Sequence, residues 1–468
     1  MNNDRKVLKS GAWYTFSNFL IRGVGFFTTP IFTRILSKTD FGLFNNYTSW
    51  LSIITIFATL NLESTLISAR FDFEDDFDRY IFSMLGLSSI STIIWTLLIL
   101  IFQNDIADFT SIDPAYLIVM MVFLLFSPAV SMFVTRERYL FKYKGSVIVS
   151  IVISISTAVI SVLLVSNFDN RLFGRILGAA IPTVLLGVVF YLYFFYKGKK
   201  IKLDYWKYAM PICLPYIPHL LAGTLLNSMD RVMIERYCGA EATAIYSLAY
   251  TCGAMVTLFI SSLNSAFAPW MGEKIHLNQT KEINYFSKIY ITVFMTVAIG
   301  VMLIAPDMLY VLGGEPYIEA RFVITPVAMG CVCQFLYTLY VNVEQFNKKT
   351  IGMAVATMIA AAINYMLNYI LIPKIGYLAA AYTTLSGFLA LLAMHIFLVY
   401  RMGMGRVYNI KYVILAVLTG IVSMIGITCS YNHLFVRTIL IIIYLILCVL
   451  FAIKNKNKLG HMISLRKK

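Results

Sequence analysis

Stretches of about 20 apolar residues recur along the whole sequence, and each is long enough for a helix to cross the hydrocarbon core of a bilayer. Of the 468 residues, 59% are hydrophobic and only 13% are charged, whereas soluble domains carry about 25% charged residues. A membrane β-barrel would instead need alternating segments of about 10 residues, which the sequence lacks. The sequence therefore predicts an all-α polytopic membrane protein.

Apolar windows and their breaks predict about fourteen membrane-spanning helices. An even number places both termini on one side of the membrane. Of the 38 Lys and Arg residues, 28 then lie on the side of the termini, 9 lie on the other side, and Arg22 falls within a span. Because cytoplasmic loops carry the excess of Lys and Arg, both termini are predicted to be cytoplasmic. The expected spans cover residues 11–35, 42–68, 81–103, 115–135, 146–166, 172–196, 207–234, 242–270, 285–312, 321–343, 351–372, 376–400, 410–430 and 434–453.

The sequence also contains a weak internal repeat. A shift of 202 residues places Arg34 on Arg236 and, independently, Gly174 on Gly376. Six spans followed by six similar spans in the same direction predict two lobes in parallel repeat, with a substrate site between them. The predicted lobes comprise residues 1–203 and 204–403, and residues 404–468 add two C-terminal helices and a basic cytoplasmic tail.

Several classes of function are disfavoured by what the segments between spans contain. The net charge of +15 is spread over short loops, so no basic domain is available for nucleic acid. No phosphate-binding loop of the type GxxxxGK[ST] occurs, nearly all cysteines lie in apolar runs without partner ligands, and no metal or cofactor is expected. An enzyme would have to rely on Asp105, Asp108 and Asp113 in one short connection, so a non-enzyme is predicted.

Arg22 is the most informative charge, because an ionisable residue within a span is costly and usually has a function. It lies about halfway along the first predicted helix, and Asn18 lies one turn before it on the same face. Arg22 is expected either to face a water-filled cavity or to form a structural pair with Glu63 of the second helix. The sequence leaves these alternatives open.

The seventh predicted helix carries a second group of polar residues. Asn227 and Asp230 share a face, while Arg231 is turned about 100° away and Arg236 follows. Asp230 is expected either to line a cavity or to pair with its neighbour Arg231. The helix begins with three prolines within eight residues, which break its hydrogen-bond ladder and favour a bent helix lining a cavity. These prolines are Pro211, Pro215 and Pro218.

Other polar residues in or near spans have more ordinary explanations. Arg34 and Arg171 are expected at the outer interface, and Arg175 is expected slightly deeper. Glu344 should end the tenth helix in solvent. The eleventh helix has a polar turn that should bond to other helices, formed by Asn364 and Asn368.

The deepest charges are arginines, which suit an anionic cargo because the guanidinium group pairs with phosphate in bidentate fashion and stays charged. A cavity for cationic drugs would need unpaired Asp or Glu instead. The candidate substrate-binding residues are Arg22, Asn18, Arg231, Asp230, Asn227, Arg236, Arg34 and Glu63.

The sequence resembles the polysaccharide-export branch of the multidrug/oligosaccharidyl-lipid/polysaccharide (MOP) exporter superfamily. The resemblance covers most of the first twelve predicted spans. It rests on GAWYTFSNFLIRGVGFFTTPIFTRILSKTDFGLFN, on AMPICLPYIPHLLAG, on NSMDRVMIERYCGAEATAIYSLAYTCGAMVTLF with AFAPW after it, and on GYLAAAYTTLSG.

The resemblance implies a flippase for undecaprenyl-pyrophosphate-linked oligosaccharide repeat units in a bacterial cytoplasmic membrane. Such units serve O-antigen, capsule or exopolysaccharide assembly and cross from the inner to the outer leaflet by alternating access. The resemblance also makes Arg22 and Arg231 candidates for contact with pyrophosphate or an acidic sugar. Fourteen spans resemble the lipid II flippases, so the last two helices would form a groove for the lipid tail.

The expected partners are the lipid-linked oligosaccharide, membrane lipid, a glycan polymerase and glycosyltransferases. Moving two negative charges outward gains about 4.6 kcal/mol per 100 mV of inside-negative potential, so the potential could reset the cycle, with or without Na⁺ or H⁺ coupling. The alternatives are a drug/cation antiporter of the same fold and, as the enzyme alternative, a membrane glycan polymerase.

Overall fold

The computed structural model describes residues 23–140, 142–347 and 349–454. These residues are almost entirely helical, and no β-strand occurs within them. The helices are α1 (residues 23–35), α2 (Lys38–Thr59), α3 (Leu66–Asp72), α4 (Phe77–Ile101), α5 (Gln103–Thr110), α6 (Pro114–Tyr139), α7 (Tyr143–Asn167), α8 (Arg171–Gly198), α9 (Leu203–Cys213), α10 (Ile217–Cys238), α11 (Ala240–Ala254), α12 (Thr257–His276), α13 (Thr280–Leu303), α14 (Ala305–Gly313), α15 (Arg321–Phe346), α16 (Thr350–Ile375), α17 (Tyr377–Arg401), α18 (Ile410–Ser430) and α19 (Leu434–Lys454).

The helices have the length and composition of membrane spans. Within the described residues, ten helices are long and apolar enough to cross a bilayer. One bent pair of helices would form an eleventh span. Helix α19 has a shorter apolar window, Leu434–Leu450. The predicted all-α polytopic membrane fold is therefore confirmed, whereas the number fourteen stays a prediction.

The chain divides into two compact units. The first unit comprises Met1–Ser247 and Ala354–Gly387, and the second comprises Leu248–Met353 and Phe388–Lys468. The chain therefore changes units three times, within α11, within α16 and within α17. The two lobes expected from the internal repeat, residues 1–203 and 204–403, stay a prediction.

The second predicted span, residues 42–68, is bent rather than straight. Leu60 and Asn61 have φ angles of 53° and 47°, and α2 meets the following helical segment, Leu62–Asp72, at 55°. Two side chains of α4 cover the end of α2, where helical carbonyl groups lack an intrahelical partner. Ser91 Oγ donates to the Phe57 carbonyl at 3.3 Å, and Thr92 Oγ1 donates to the Ala58 carbonyl at 3.1 Å. The break is thus satisfied inside the protein, as a membrane interior requires.

The proline-rich start of the seventh predicted span also interrupts the helix, as the sequence predicts. Helix α9 ends at Cys213, and a short 3₁₀ helix, Leu214–Tyr216, leads into α10. Pro215 and Pro218 lie at the starts of the 3₁₀ helix and of α10, where a missing N–H costs little. Residues Leu203–Cys238 together still form one candidate span.

Glycines allow α7 and α8 to pack closely. A Cβ atom on Gly178 would lie 2.4 Å from the Ser161 Cα atom, and one on Gly174 would lie 2.8 Å from the Leu164 carbonyl oxygen. Small residues spaced four apart bring backbones together in membrane helices, where close packing replaces the hydrophobic effect. This contact fixes α8, and with it Arg175, against α7.

Candidate functional site

The first unit contains a cavity of about 380 Å³ that is lined by four helices and, among the described residues, by a single charged side chain, Arg175 of α8. Most of the lining is apolar. Four hydroxyl groups interrupt it, one from α1 and three from successive turns of α7: Thr28, Ser150, Ser154 and Thr157. The cavity therefore combines a cation, several hydroxyl groups and an apolar wall.

Aromatic rings hold the Arg175 guanidinium group in place. Its central carbon lies 3.9 Å from the centre of the Phe32 ring and 4.2 Å from the centre of the Phe44 ring, and Nη1 donates to Ser161 Oγ at 2.7 Å. Within the described ranges, Arg175 forms no ion pair with a carboxylate. Cation–π contacts orient the guanidinium group without neutralising it, so its charge remains available to an anion.

A second polar site in the first unit surrounds Asp230 of α10. The Asp230 side chain is 1% exposed and accepts hydrogen bonds from three neutral donors. Tyr246 donates to Oδ2 at 2.7 Å, Asn368 Nδ2 donates to Oδ1 at 2.7 Å, and Thr384 Oγ1 donates to Oδ2 at 2.5 Å. We call Asp230, Tyr246, Asn364, Asn368, Thr383 and Thr384 the Asp230 cluster.

The Asp230 cluster continues through two asparagines of α16. Asn368 Nδ2 also approaches Asn364 Oδ1 at 3.3 Å, and Thr383 donates to Asn368 Oδ1. The prediction that these asparagines bond to other helices is confirmed. The cluster gathers a carboxylate, amide oxygens and hydroxyl groups inside a span, and such oxygens are the ligands that hard cations prefer.

The other candidates on α10 do not join this cluster. Asn227 is exposed, although it was expected to share a face with Asp230, and its Nδ2 donates to the Gly223 carbonyl at 2.7 Å. Arg231 Nη1 donates to the Asn227 carbonyl at 3.0 Å. Arg231 attracts Asp230 electrostatically, although Asp230 forms no ion pair among the described residues, so the expected alternative of an Asp230–Arg231 pair stays a prediction.

The remaining candidates are dispersed. Arg34 is exposed, and so is Arg236, whose guanidinium group lies 5.7 Å from the centre of the Phe109 ring. Glu63 lies in a 3₁₀ turn after the bend and is attracted by Arg138 of α6. Arg22 and Asn18 lie outside the described residues, so a pair between Arg22 and Glu63 stays a hypothesis.

Sequence reasoning missed two features. Arg175 was expected slightly deeper than Arg34 and Arg171 at the outer interface and was not among the site residues, yet it lines the cavity. Glu344 was expected at a solvated helix end, and this prediction is wrong: its side chain is 1% exposed and contacts His395, 51 residues further along the chain. The polar signal was present in both cases, but only the packing of distant helices shows which way each side chain faces.

A proline-rich interruption before α10, a cavity lined by Arg175 and a buried oxygen-rich cluster within apolar helices are features of a membrane transporter. The family described as polysaccharide biosynthesis protein matches residues 7–276, which is more than half of the chain. The chain therefore belongs to the polysaccharide biosynthesis protein family. A curated relative, an uncharacterized membrane protein of Methanocaldococcus jannaschii, is 22% identical over 461 residues, covering 91% of this chain and 90% of the relative.

Solved structures show the same fold. An inward closed conformation of the lipid II flippase MurJ matches with a TM-score of 0.70 at 14% identity, over 94% of this chain and 99% of that one. An inward-facing multidrug resistance MATE transporter of the MOP superfamily matches with a TM-score of 0.59 at 13% identity, over 88% and 96%. A MOP superfamily transporter from Pyrococcus furiosus, described by the reverse polarity of its binding pocket, matches with a TM-score of 0.53 at 14% identity, over 89% and 96%. The chain thus has the fold of a MOP-type flippase or transporter.

Proposed function

We propose that this chain moves a lipid-linked oligosaccharide with a pyrophosphate linkage from the inner to the outer leaflet of a bacterial cytoplasmic membrane. One observation carries the proposal: the cavity of the first unit has an arginine, Arg175, that faces it without a carboxylate partner among the described residues. In a low-dielectric environment an uncompensated cation costs several kcal/mol, and an anionic cargo would offset that cost.

The lining of the cavity fits the same cargo. The hydroxyl groups of Ser150, Ser154 and Thr157 repeat along α7 and can bond to sugar or phosphate oxygens. The apolar remainder suits an isoprenoid chain. A cavity for cationic drugs would need a carboxylate in place of Arg175, and for this reason we place the drug/cation antiporter second.

The Asp230 cluster supports ion coupling in the same cycle. It is built from oxygen ligands and lies within a span, so it could bind a monovalent cation or a proton as the chain changes conformation. The membrane potential would add about 4.6 kcal/mol per 100 mV for a cargo with two negative charges.

The test is glycan export in a deletion strain that carries wild type, Arg175→Ala or Arg175→Lys at matched protein level. Loss of a charge-assisted, bidentate contact costs about 1.5–3 kcal/mol, so Arg175→Ala should reduce export at least about tenfold and Lys should restore it in part. Arg171→Ala is the matched control, because Arg171 is exposed one turn earlier on α8 and donates a hydrogen bond to the Ile35 carbonyl. Arg22→Ala in the same strain tests the sequence-based candidate.

Full export by the Arg175→Ala variant would remove the basis of the proposal. A change in drug susceptibility with unchanged export would favour the antiporter instead.

A further inference from the structure

The link between α8 and α9 in the first unit is fastened to α4 by hydrogen bonds. Arg79 Nε donates to the Gly198 carbonyl at 3.2 Å, and the backbone N–H of Lys202 donates to Ser83 Oγ at 3.1 Å. Trp206 Nε1, in the first turn of α9, donates to the Ser83 carbonyl at 2.7 Å. The link therefore has a fixed position on the first unit.

The charge of Lys202 is satisfied inside this fastened part of the link. Its Nζ lies 2.7 Å from Asp76 Oδ2 and donates to the Tyr205 hydroxyl at 3.3 Å. Arg79 Nη1 pairs with the same carboxylate at 3.0 Å. The Lys202 ammonium group thus already has an anionic partner within the protein.

The other lysines in and next to the link lack such a partner. Lys197, Lys199 and Lys200 are exposed, and none of them forms an ion pair with a carboxylate of the described residues. Two acidic residues precede α4, Glu74 and Asp75, and within the described ranges they too are exposed and form no ion pair. Three ammonium groups are therefore available to an anion from outside the protein.

Large apolar side chains are exposed beside these lysines. Tyr196 is 78% exposed and Leu203 is 60% exposed. Segments that combine lysines with exposed aromatic and aliphatic side chains are typical of the boundary between lipid and water. We call the following residues the basic strip: Tyr196, Lys197, Lys199, Lys200 and Leu203.

The two neighbouring spans keep the basic strip at the membrane surface. One candidate span ends at Gly198 and the next begins at Leu203, so only the four residues 199–202 connect them. Four residues reach at most about 14 Å. The lysines therefore lie at the level of the lipid headgroups, where a soluble partner has less access than the lipids themselves.

We propose that the basic strip binds anionic phospholipid headgroups of the surrounding membrane. The ammonium groups of Lys197, Lys199 and Lys200 donate to phosphate oxygens of the headgroups, and Tyr196 and Leu203 contact the acyl chains. Because the link is fastened to α4, a bound lipid holds the first unit at the membrane surface where α8 passes into α9. This binding does not depend on the identity of the cargo, because none of these residues lines the cavity of Arg175.

The test is the reactivity of individual lysines in the purified full-length protein in lipid nanodiscs. The discs contain phosphatidylcholine alone, or phosphatidylcholine and phosphatidylglycerol in equal parts. An uncharged, water-soluble acylating reagent labels lysines, and mass spectrometry reports the rate at each position. An anionic surface attracts a nearby lysine about fivefold, so Lys197, Lys199 and Lys200 should react about fivefold more slowly in the discs with phosphatidylglycerol.

Lys202 is the internal control, because Asp76 and Tyr205 already hold its ammonium group and its rate should stay the same. Unchanged rates at the three lysines of the basic strip, or an equally large fall at Lys202, overturn the proposal. Inorganic phosphate added to the phosphatidylcholine discs separates the two sources of phosphate. Equal protection by inorganic phosphate overturns the assignment to a lipid.

A variant without the three charges tests the effect on the folded protein. The strip variant, Lys197→Gln/Lys199→Gln/Lys200→Gln, leaves the hydrogen bonds to α4 in place. The midpoint of thermal unfolding of wild type should be higher in the discs with phosphatidylglycerol than in those without it. The strip variant should lose most of this difference, and a difference as large as that of wild type contradicts the proposal.

The matched control variant removes three exposed lysines of the second unit, Lys281→Gln/Lys349→Gln/Lys411→Gln. It changes the net charge by the same amount as the strip variant, and it should keep the wild-type difference between the two kinds of disc. Equal losses in the two triple variants overturn the proposal, because the response would then follow net charge rather than the basic strip.

Discussion

Replacement of Asp230 gives the sharpest test of the polar site in the first unit. The carboxylate accepts hydrogen bonds from Tyr246, Asn368 and Thr384. Because Asp230 is 1% exposed, water cannot replace the carboxylate as the acceptor for these donors. Asp230→Ala leaves all three donors without their acceptor. At about 1–3 kcal/mol for each buried unsatisfied group, the loss should amount to about 5 kcal/mol of unfolding free energy.

Asp230→Asn removes the charge of the side chain but keeps its shape, so it tests the two contributions separately. The amide oxygen can still accept from Tyr246 and Thr384, whereas the new amide nitrogen would face the Asn368 nitrogen. We therefore expect one lost hydrogen bond and a cost of about 2 kcal/mol. If the Asp230 cluster binds a cation, Asn should also abolish any stabilisation by that cation, which reaches about 2.7 kcal/mol at a concentration of 100 Kd.

The assay is thermal unfolding of the purified protein in Na⁺, K⁺ and a bulky organic cation at equal ionic strength, over a range of pH. Asn227→Ala serves as the control, because this side chain is exposed on the same helix. An Asp230→Ala variant as stable as wild type would refute the hydrogen-bonded cluster. A cation or pH response that survives in Asp230→Asn would refute its role in ion binding while leaving the cargo proposal untouched.

Two other perturbations follow from packing and from charge. Gly178→Ala should lower the melting temperature, since its Cβ atom would lie 2.4 Å from Ser161 Cα and overpacking costs about 1–3 kcal/mol. Gly426→Ala, where a Cβ atom meets nothing within 4 Å, should be neutral or stabilising by up to about 1 kcal/mol, and equal effects at the two sites would contradict the tight α7–α8 contact. Outside the spans, hydrogen bonds from Lys202 and Tyr205 lower the pKa of Asp76. A lowered pKa stabilises the fold above about pH 3.9 and loses that effect as the pH falls through the folded-state value. Asp76→Asn should therefore melt below wild type at pH 7, the difference should shrink as the pH falls below about 3.9, and a difference that does not shrink in acid would count against this assignment.

The helical membrane fold could be predicted because apolar length is a property of each segment alone. The bend after α2 could not, since Leu60 carries no sequence signal for a positive φ angle and only Asn61 is a residue that favours one. The interruption before α10 was predictable, because proline removes a backbone donor wherever it stands.

For the site residues too, local sequence predicts some features, while others depend on tertiary packing. Asn368 was expected to bond between helices, and its partner Asp230 lies on another element of the first unit. The burial of Glu344 depends on His395 of α17, which no local pattern reveals. The depth of Arg175 depends on two phenylalanines, on α1 and α2, that cover its guanidinium group. Sequence thus identifies which polar residues stand in apolar surroundings, and tertiary packing decides what each one faces.

The bend between α2 and α3 has a consequence for how this sequence can vary. The carbonyl groups at the end of α2 are capped by hydroxyl groups of Ser91 and Thr92, 34 residues away on α4. Thr92 is 1% exposed, so valine would fill the same space. It would still leave the buried Ala58 carbonyl without a hydrogen-bond donor, and no water is available within the membrane. The backbone of α2 therefore restricts position 92 of α4 to serine and threonine. The bend has no signal in the sequence of its own segment, but it requires a hydroxyl group on another helix.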